Sequence, residues 1–234
     1  MCPAFLFSSV ASMEHPVLTT IRNAGLMPLG WFAPEASDGV PDAGPASPAR
    51  FVVLLGNAGP AMFRRFRSER DPERHALDDW TRHTLEPLAD DLGARALFPF
   101  GPPPYWPILT WARKAGAGHV SPLGLNIHPT FGLWHAYRAA FIFPVAFDIP
   151  PLKSQHPCEA CPAKPCLTAC PVGAFSGKSY DVQSCATHLR APQGASCLTK
   201  GCLARHACPV GQGFAYSEPQ AHFHQRAFLK AREP

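Results

Sequence analysis

The run Cys158-Glu-Ala-Cys161-Pro-Ala-Lys-Pro-Cys166-Leu-Thr-Ala-Cys170-Pro171 sets four thiols within thirteen residues and closes on a Cys-Pro step. Four more follow at Cys185, Cys197, Cys202 and Cys208, and the last is again followed by proline, Pro209. Eight of the nine cysteines of the chain therefore fall between 158 and 208. Soft sulfur donors crowded in this way mark a site for a thiolate-held inorganic group, and the chain must fold so that the two runs meet.

The first run differs from the bacterial ferredoxin pattern C-x2-C-x2-C-x3-C-P only by two extra residues before its third cysteine. In two-cluster ferredoxins the Cys-Pro thiolate binds the other cluster. Cys158, Cys161, Cys166 and Cys208 are accordingly assigned to one [4Fe-4S] centre, and Cys170, Cys185, Cys197 and Cys202 to a second. Three other readings compete. A zinc site would show paired C-x2-C or Cys/His knuckles, and only one C-x2-C is present. Disulfides belong to oxidising compartments. A single cluster, with the second run serving as structure, is the third, since Cys197-x4-Cys202-x5-Cys208 lacks a tight pair.

A chain of 234 residues is long enough for one sizeable core and a small added module. Its net charge of +4 comes from scattered residues. Only Arg64, Arg65, Arg67 and Arg70 cluster, and Glu69 and Asp71 flank them, so no nucleic-acid partner is expected. The opening stretch 1–13 is apolar but short for a bilayer and is not preceded by basic residues, so no membrane partner and a cytoplasmic location are expected. Met13 is a second candidate start.

Apolar residues at helical spacing (Val17, Leu18, Ile21, Ala24) predict a helix over 14–24, capped by Gly25. Leu26–Phe32 reads as a strand, 33–50 as a loop, and Phe51–Leu55 as a buried strand turning at Gly56–Pro60 into a helix with Met62, Phe63 and Phe66. Asp71-Pro72 can start the next helix, whose face is Leu77, Trp80, Thr84, Leu85, Leu88 and Leu92, with a bend at Pro87. His75 and His83 fall on its other side. Ala94–Phe100 returns as a strand, Pro107 opens a short helix, and Ala136–Phe147 is a long apolar strand. Ser217 with Gln220 gives a capping-box pattern for a last helix carrying Phe223, Ala227 and Phe228. The whole is α+β.

Between 118 and 135 glycines alternate with aromatic and histidine residues, a composition suited to a large flat ligand. Here the residues resemble a known family. Leu55–Phe66 (LGNAGPAMFRRF), Ala115–Leu152 (AGAGHVSPLGLNIHPTFGLWHAYRAAFIFPVAFDIPPL) and Tyr216–Phe223 (YSEPQAHF) are similar to the cobalamin-processing CblC family. Ala112–Gly132 ahead of a two-cluster segment also resembles epoxyqueuosine reductases and reductive dehalogenases, relatives that share a nitroreductase-like corrinoid domain.

The resemblance implies a nitroreductase-like corrinoid-binding domain over 14–152, an inserted, loop-rich ferredoxin-like iron-sulfur module over 153–213, and a helix over 214–234 packing on the corrinoid domain, after a flexible 1–13. It implies that Met62, Gly118, His119, Ser121, Leu123, Leu125, Asn126 and His128 border a cobalamin bound without its lower base, with Tyr105, Trp106, Phe131 and Trp134 as aromatic walls. Thr130 stands where the animal pattern has an arginine that helps hold glutathione, which directs the expectation from thiol chemistry to iron-sulfur electron supply. The expected activity is reduction of cobalamin, as substrate or cofactor, with loss of its upper ligand, cyanide or alkyl. A low-potential flavodoxin, ferredoxin or reductase would be the electron donor. Alternatives are a cobalamin-dependent reductase of an organic substrate and a ferredoxin-type carrier. Tyr105, Tyr137 and His119 are reserve proton donors.

Overall fold

The computed structural model describes residues 15–70 and 76–233. The stretch 1–13 with its alternative start, the Asp71-Pro72 helix start and His75 lie outside the described residues. The strands are β1 (Met27–Phe32), β2 (Phe51–Ala58), β3 (Arg95–Leu97), β4 (His119–Val120), β5 (Asn126–Ile127) and β6 (His135–Phe143). The helices are α1 (Pro16–Asn23), α2 (Ala61–Glu69), α3 (Leu77–Asp91), α4 (Ile108–Lys114), α5 (Val182–Arg190), α6 (Ala195–Lys200), α7 (Leu203–His206) and α8 (Glu218–Lys230). The chain divides into two units: a sheet unit, up to Gly118 together with His135–Ser154, and a cysteine unit, His119–Trp134 together with the chain from Gln155 on.

The sheet unit is built on four antiparallel strands in the order β1-β2-β6-β3. β2 and the end of β6 are continuous runs of Phe, Val, Leu, Ile and Ala, and both are buried, as central strands covered by other elements must be. The expected turn at Gly56 is instead strand: β2 runs on to Ala58, pairing Gly56 with Tyr137 and Ala58 with His135. Only glycine fits there, because a Cβ on Gly56 would lie 1.9 Å from the Ala136 carbonyl oxygen. Two other expected strands are shorter than read. β6 stops at Phe143 because Pro144 cannot donate to a ladder, and the edge strand β3 stops ahead of Pro99 for the same reason.

The buried face of α3 is Leu77, Trp80, Thr81, Leu85 and Ala89, which corrects the expected face: Thr84, Leu88 and Leu92 are only half-buried. The buried Thr81 is paid for by hydrogen bonds, its hydroxyl donating to the Leu77 carbonyl (2.7 Å) and accepting from Arg138 Nη2 (2.9 Å). In the loop 33–50 a 3-10 turn, Ala36–Asp38, is held to α4 by Lys114, whose Nζ lies 2.7 Å from Asp38 Oδ2, and by Trp111 Nε1 donating to the Asp38 carbonyl (2.9 Å). Trp31 Nε1 donates to the Pro150 carbonyl (2.9 Å) and fixes the segment that leaves β6.

In the cysteine unit the ribbon β4–β5 and its flanks supply Leu123, Ile127 and Leu133 to a core shared with Cys166, Ala204 and Cys208. Within the module expected to be loop-rich, α5 carries Cys185, α6 carries Cys197, and Cys202 stands at the N-cap of α7. The last helix also departs from expectation, since α8 packs on α6 within this unit. Gln225 Nε2 donates to the Cys197 carbonyl (3.2 Å), His222 Nδ1 contacts the Leu198 carbonyl (3.1 Å), and Gly201 leaves room for Ala221. The capping box does not form: Ser217 is extended and makes no side-chain cap, while Pro219 in the first turn fixes the helical backbone and Gln220 is buried.

Candidate functional site

The first run is bent by local hydrogen bonds. His156 Nδ1 accepts the Cys158 N–H (3.2 Å), the Cys161 N–H reaches back to the Cys158 carbonyl (3.4 Å), and the two extra residues Lys164-Pro165 make a left-handed step at Lys164 (φ 38°). That step starts a 3-10 turn, Pro165–Leu167, from which the backbone N–H groups of Cys166 and Leu167 point at the Cys166 sulfur. Cys158, Cys161, Cys166 and Cys208 line one small cavity, with Ile127 and Val210 among its apolar walls. Burial, then the charges of Cys208, Cys166 and Cys161, push the Cys158 thiol up to about 11.

Cys170, Cys185, Cys197 and Cys202 form the other set. Burial raises Cys185, Cys197 and Cys202, and the charge of Cys170 reaches Cys185 and Cys197 while those of Cys185 and Cys197 reach Cys202. Ala174 N–H donates to Cys170 Sγ (3.3 Å); burial of the other thiols is partly offset by the Tyr180 hydroxyl at Cys185, by Leu203 N–H at Cys197, and by the N–H groups of Ala204 and Arg205 at Cys202. Of the eight sequence-predicted cysteines, Cys158, Cys161, Cys166 and Cys208 thus share one cavity, and Cys170, Cys185, Cys197 and Cys202 are linked by their charges. All eight are thiols. Among the described residues no three His, Cys, Asp or Glu side chains converge tightly enough for a single metal ion. The donor chemistry fits a pair of iron-sulfur clusters: crowded thiols resist ionisation until cationic iron offsets their charge, and N–H and O–H groups aimed at sulfur are the contacts that stabilise bound thiolates.

The residues expected around a corrinoid lie in both units. In the sheet unit Met62 and Gly118 are buried, Tyr105 is 75% exposed and Trp106 is half-buried, its ring 6.4 Å from that of Trp111. The Tyr137 hydroxyl donates to the Ala117 carbonyl (2.9 Å), and burial raises its pKa well above the ordinary range, so it is a structural donor and a poor acid. In the cysteine unit Leu125 is exposed, Asn126 is half-buried on β5, and Ser121 and Leu123 are buried, the Ser121 hydroxyl without a hydrogen-bond partner. His119 faces His156 (ring centroids 4.8 Å apart), and burial, then the charge of His156, lowers its pKa. His128 Nδ1 accepts the N–H groups of Thr130 (3.0 Å) and Phe131 (3.3 Å), which shapes the turn beneath Phe131.

Two of the expected aromatic walls are core. Phe131 packs edge-on against Phe214, and Trp134, 2% exposed, is closed in by Tyr216, His206 and the Arg205 guanidinium, 4.6 Å from its ring centroid. Arg205 also lies 4.4 Å from the Tyr216 ring and donates from Nε to the Leu133 carbonyl (2.8 Å). Sequence reasoning missed Arg205, Tyr180 and the pair Gly132 and Gly211. Both glycines have positive φ, and their backbones touch: a Cβ on Gly132 would meet the Val210 carbonyl oxygen at 1.9 Å, and one on Gly211 would meet Phe131 at 2.3 Å. The glycine in Cys-Pro-Val-Gly, next to a Gly-rich segment, was the available signal.

No protein-family model matches the chain, and no curated protein does. Solved structures do. An epoxyqueuosine reductase from Streptococcus thermophilus is 13% identical with a TM-score of 0.52, over 86% of this chain and 66% of that one. The B12-trafficking protein CblC of C. elegans, a human MMACHC homologue, is 16% identical with a TM-score of 0.52, over 92% of both chains. An epoxyqueuosine reductase solved with an epoxyqueuosine-modified tRNA stem loop is 18% identical, with a TM-score of 0.49 over 86% of this chain and 66% of that one. The chain has the mixed α+β fold of the first two, and it spans just under two thirds of the reductase.

Proposed function

We propose that the chain is a cobalamin-processing oxidoreductase that holds two [4Fe-4S] clusters, one on Cys158, Cys161, Cys166 and Cys208 and one on Cys170, Cys185, Cys197 and Cys202, and reduces a bound cobalamin so that its upper ligand is lost. The observation that carries this reading is the cavity of the first set, lined by four thiols and by Ile127 of the same 119–134 segment whose sequence resembles corrinoid-binding proteins. When bound, the clusters supply one-electron transfer. In the decyanation, one electron enters the cobalt(III) substrate, cyanide leaves with the bonding pair, and cob(II)alamin remains. No proton is consumed, in keeping with a Tyr137 hydroxyl committed to the Ala117 carbonyl. Leu123, Ile127 and Leu133 keep water from the first set, and the N–H and O–H donors hold the sulfurs of the second. Of the expected list, Tyr105 and Trp106 in the sheet unit, and His119, Leu125 and Asn126 in the cysteine unit, have surface to offer a corrin.

Anaerobic purification or reconstitution with iron and sulfide counts tests the first half, and about eight irons per chain are expected. About four would remove one set. Titration with cyanocobalamin under a low-potential reductant, followed by visible absorption, tests the second half; an unchanged corrinoid spectrum would remove it and leave a ferredoxin-type carrier. The fold shared with an epoxyqueuosine reductase favours one other reading, a reductase of an organic substrate that keeps its cobalamin. In that case the corrinoid stays bound through many turnovers instead of being released once per ligand removed. Among the described residues no helix is long and apolar enough to cross a membrane.

A further inference from the structure

Charge is divided unequally between the units. The sheet unit has thirteen Lys and Arg against thirteen Asp and Glu, whereas the cysteine unit has eight against four, so the net +4 of the chain belongs to the cysteine unit. The ion pairs among the described residues tell the same story: Arg65–Glu69, Arg82–Glu86, Lys114–Asp38 and Arg138–Asp78 all lie in the sheet unit. In the cysteine unit Arg190, Arg226, Lys230 and Arg232 are exposed and have no described carboxylate in ion-pair reach.

One of these cations, Arg232, lies close enough to the second set for its charge to act on Cys185. Arg190 Nη2 donates to the Arg232 carbonyl (3.4 Å), which ties the end of α5 to the end of α8. The Arg232 guanidinium lies 3.8 Å from the centroid of the Phe228 ring, that ring is 6.4 Å from Tyr180, and the Tyr180 hydroxyl and the Arg232 charge both act on Cys185. Arg226 and Lys230 are one helical turn apart on α8. Of the second set Cys170, Cys185 and Cys202 are half-buried, whereas in the first set only Cys158 is. An open cleft of about 420 Å³ beside the first set carries Glu159 against Lys164 and so has no excess charge.

We propose that the face made by the C-terminal ends of α5 and α8 docks an acidic one-electron carrier protein, which delivers electrons to the Cys170, Cys185, Cys197 and Cys202 centre. This rests on the cluster reading given above. Unpaired surface cations steer an anionic partner from a distance, and contact at Arg232 brings it within two aromatic rings of Cys185. RNA is the other polyanion to consider. The exposed large hydrophobics of this unit, Val120, Leu125, Val172 and Leu203, are aliphatic and offer no ring for a base to stack on.

The test uses holo-protein reconstituted to about eight irons and a photoreduced acidic flavodoxin, with cluster bleaching followed by stopped flow. The triple variant Arg190→Glu, Arg226→Glu, Lys230→Glu is expected to cut the second-order rate about tenfold or more at low ionic strength. High salt should shrink the difference, and iron content and midpoint potentials should be unchanged. Reduction by methyl viologen radical, which needs no docking face, should be no slower. Arg64→Glu with Arg67→Glu on α2 should behave as wild type. An unchanged flavodoxin rate in the triple variant overturns the proposal, as does a shift in cluster potential as the sole effect, or a loss of melting temperature alone, which would make the cations helix-end charges. Loss of binding to an RNA stem-loop with donor kinetics intact assigns the face to nucleic acid instead. Wild-type protein that takes up no iron sinks the cluster reading, and the docking face with it; full iron with charge-indifferent kinetics sinks the docking face alone.

Discussion

Trp134 illustrates how a residue read for one purpose is used for another. Its neighbours in sequence, glycine and histidine, suggest a ligand wall, but its ring is enclosed by Tyr216, His206 and Arg205, all from the second cysteine run or just beyond it. Trp134→Ala is therefore expected to cost about 3–5 kcal/mol of stability in chemical denaturation and to lower iron content, because Arg205 stands between Cys202 and Cys208. A variant that keeps its iron and its midpoint but loses corrinoid retention would restore the wall. Gly132→Ala is a narrower test of the same packing. Its φ of 57° and the 1.9 Å approach to the Val210 oxygen leave no room for a methyl group, and the backbone strain alone is worth about 1–3 kcal/mol. Neither effect was legible in the sequence, since a glycine shows that space is needed and not what fills it. The cysteines stand out in the sequence as candidate ligands because thiol spacing and Cys-Pro steps encode ligand geometry directly.

At the scale of elements, the sequence announced β2, α1, α2 and α4 through runs of apolar residues, while ends and registers were set by neighbours it does not display. Gly56 reads as a turn until Ala136 is placed opposite it. Ser217 reads as a cap, yet Pro219 starts α8 without one. Two elements carry predictions. α8 covers α6 through Gln225 and Ala221, so deleting residues 218–233 should strip the second set and leave about four irons per chain; retention of all eight would show that α8 is dispensable. The turn Ala36–Asp38 is tied to α4 by Lys114. Burial opposes ionisation of Asp38, but Lys114 and the Glu35 N–H outweigh it and hold the carboxyl below its ordinary value. A depressed carboxylate gives stability that is present above the unfolded pKa and lost as pH falls through the folded one. Acid should thus loosen the sheet unit below about pH 4, and Lys114→Met should flatten the stability-versus-pH curve in that window; an unchanged curve would exclude this anchor.

Across the whole molecule, one boundary drawn from sequence is at fault for a physical reason. A cut at residue 152 follows the change in composition, but the 119–134 segment is apolar, lacks cysteine and charge, and so reads as part of what precedes it. In the folded chain it belongs with the cysteines, where Leu123, Ile127 and Leu133 floor the first set. A protein truncated after Ser154 should for that reason bind a hydrophobic dye strongly and aggregate, with the sheet unit itself still showing cooperative melting; weak dye binding would mean that the segment finds other cover. The polypeptide crosses between its halves after 118, 134 and 154, so neither half can be donated, lost or swapped in evolution as one uninterrupted gene fragment. Loss of the packing under Leu123, Ile127 and Leu133 would loosen a segment whose two ends both continue into the other half of the chain.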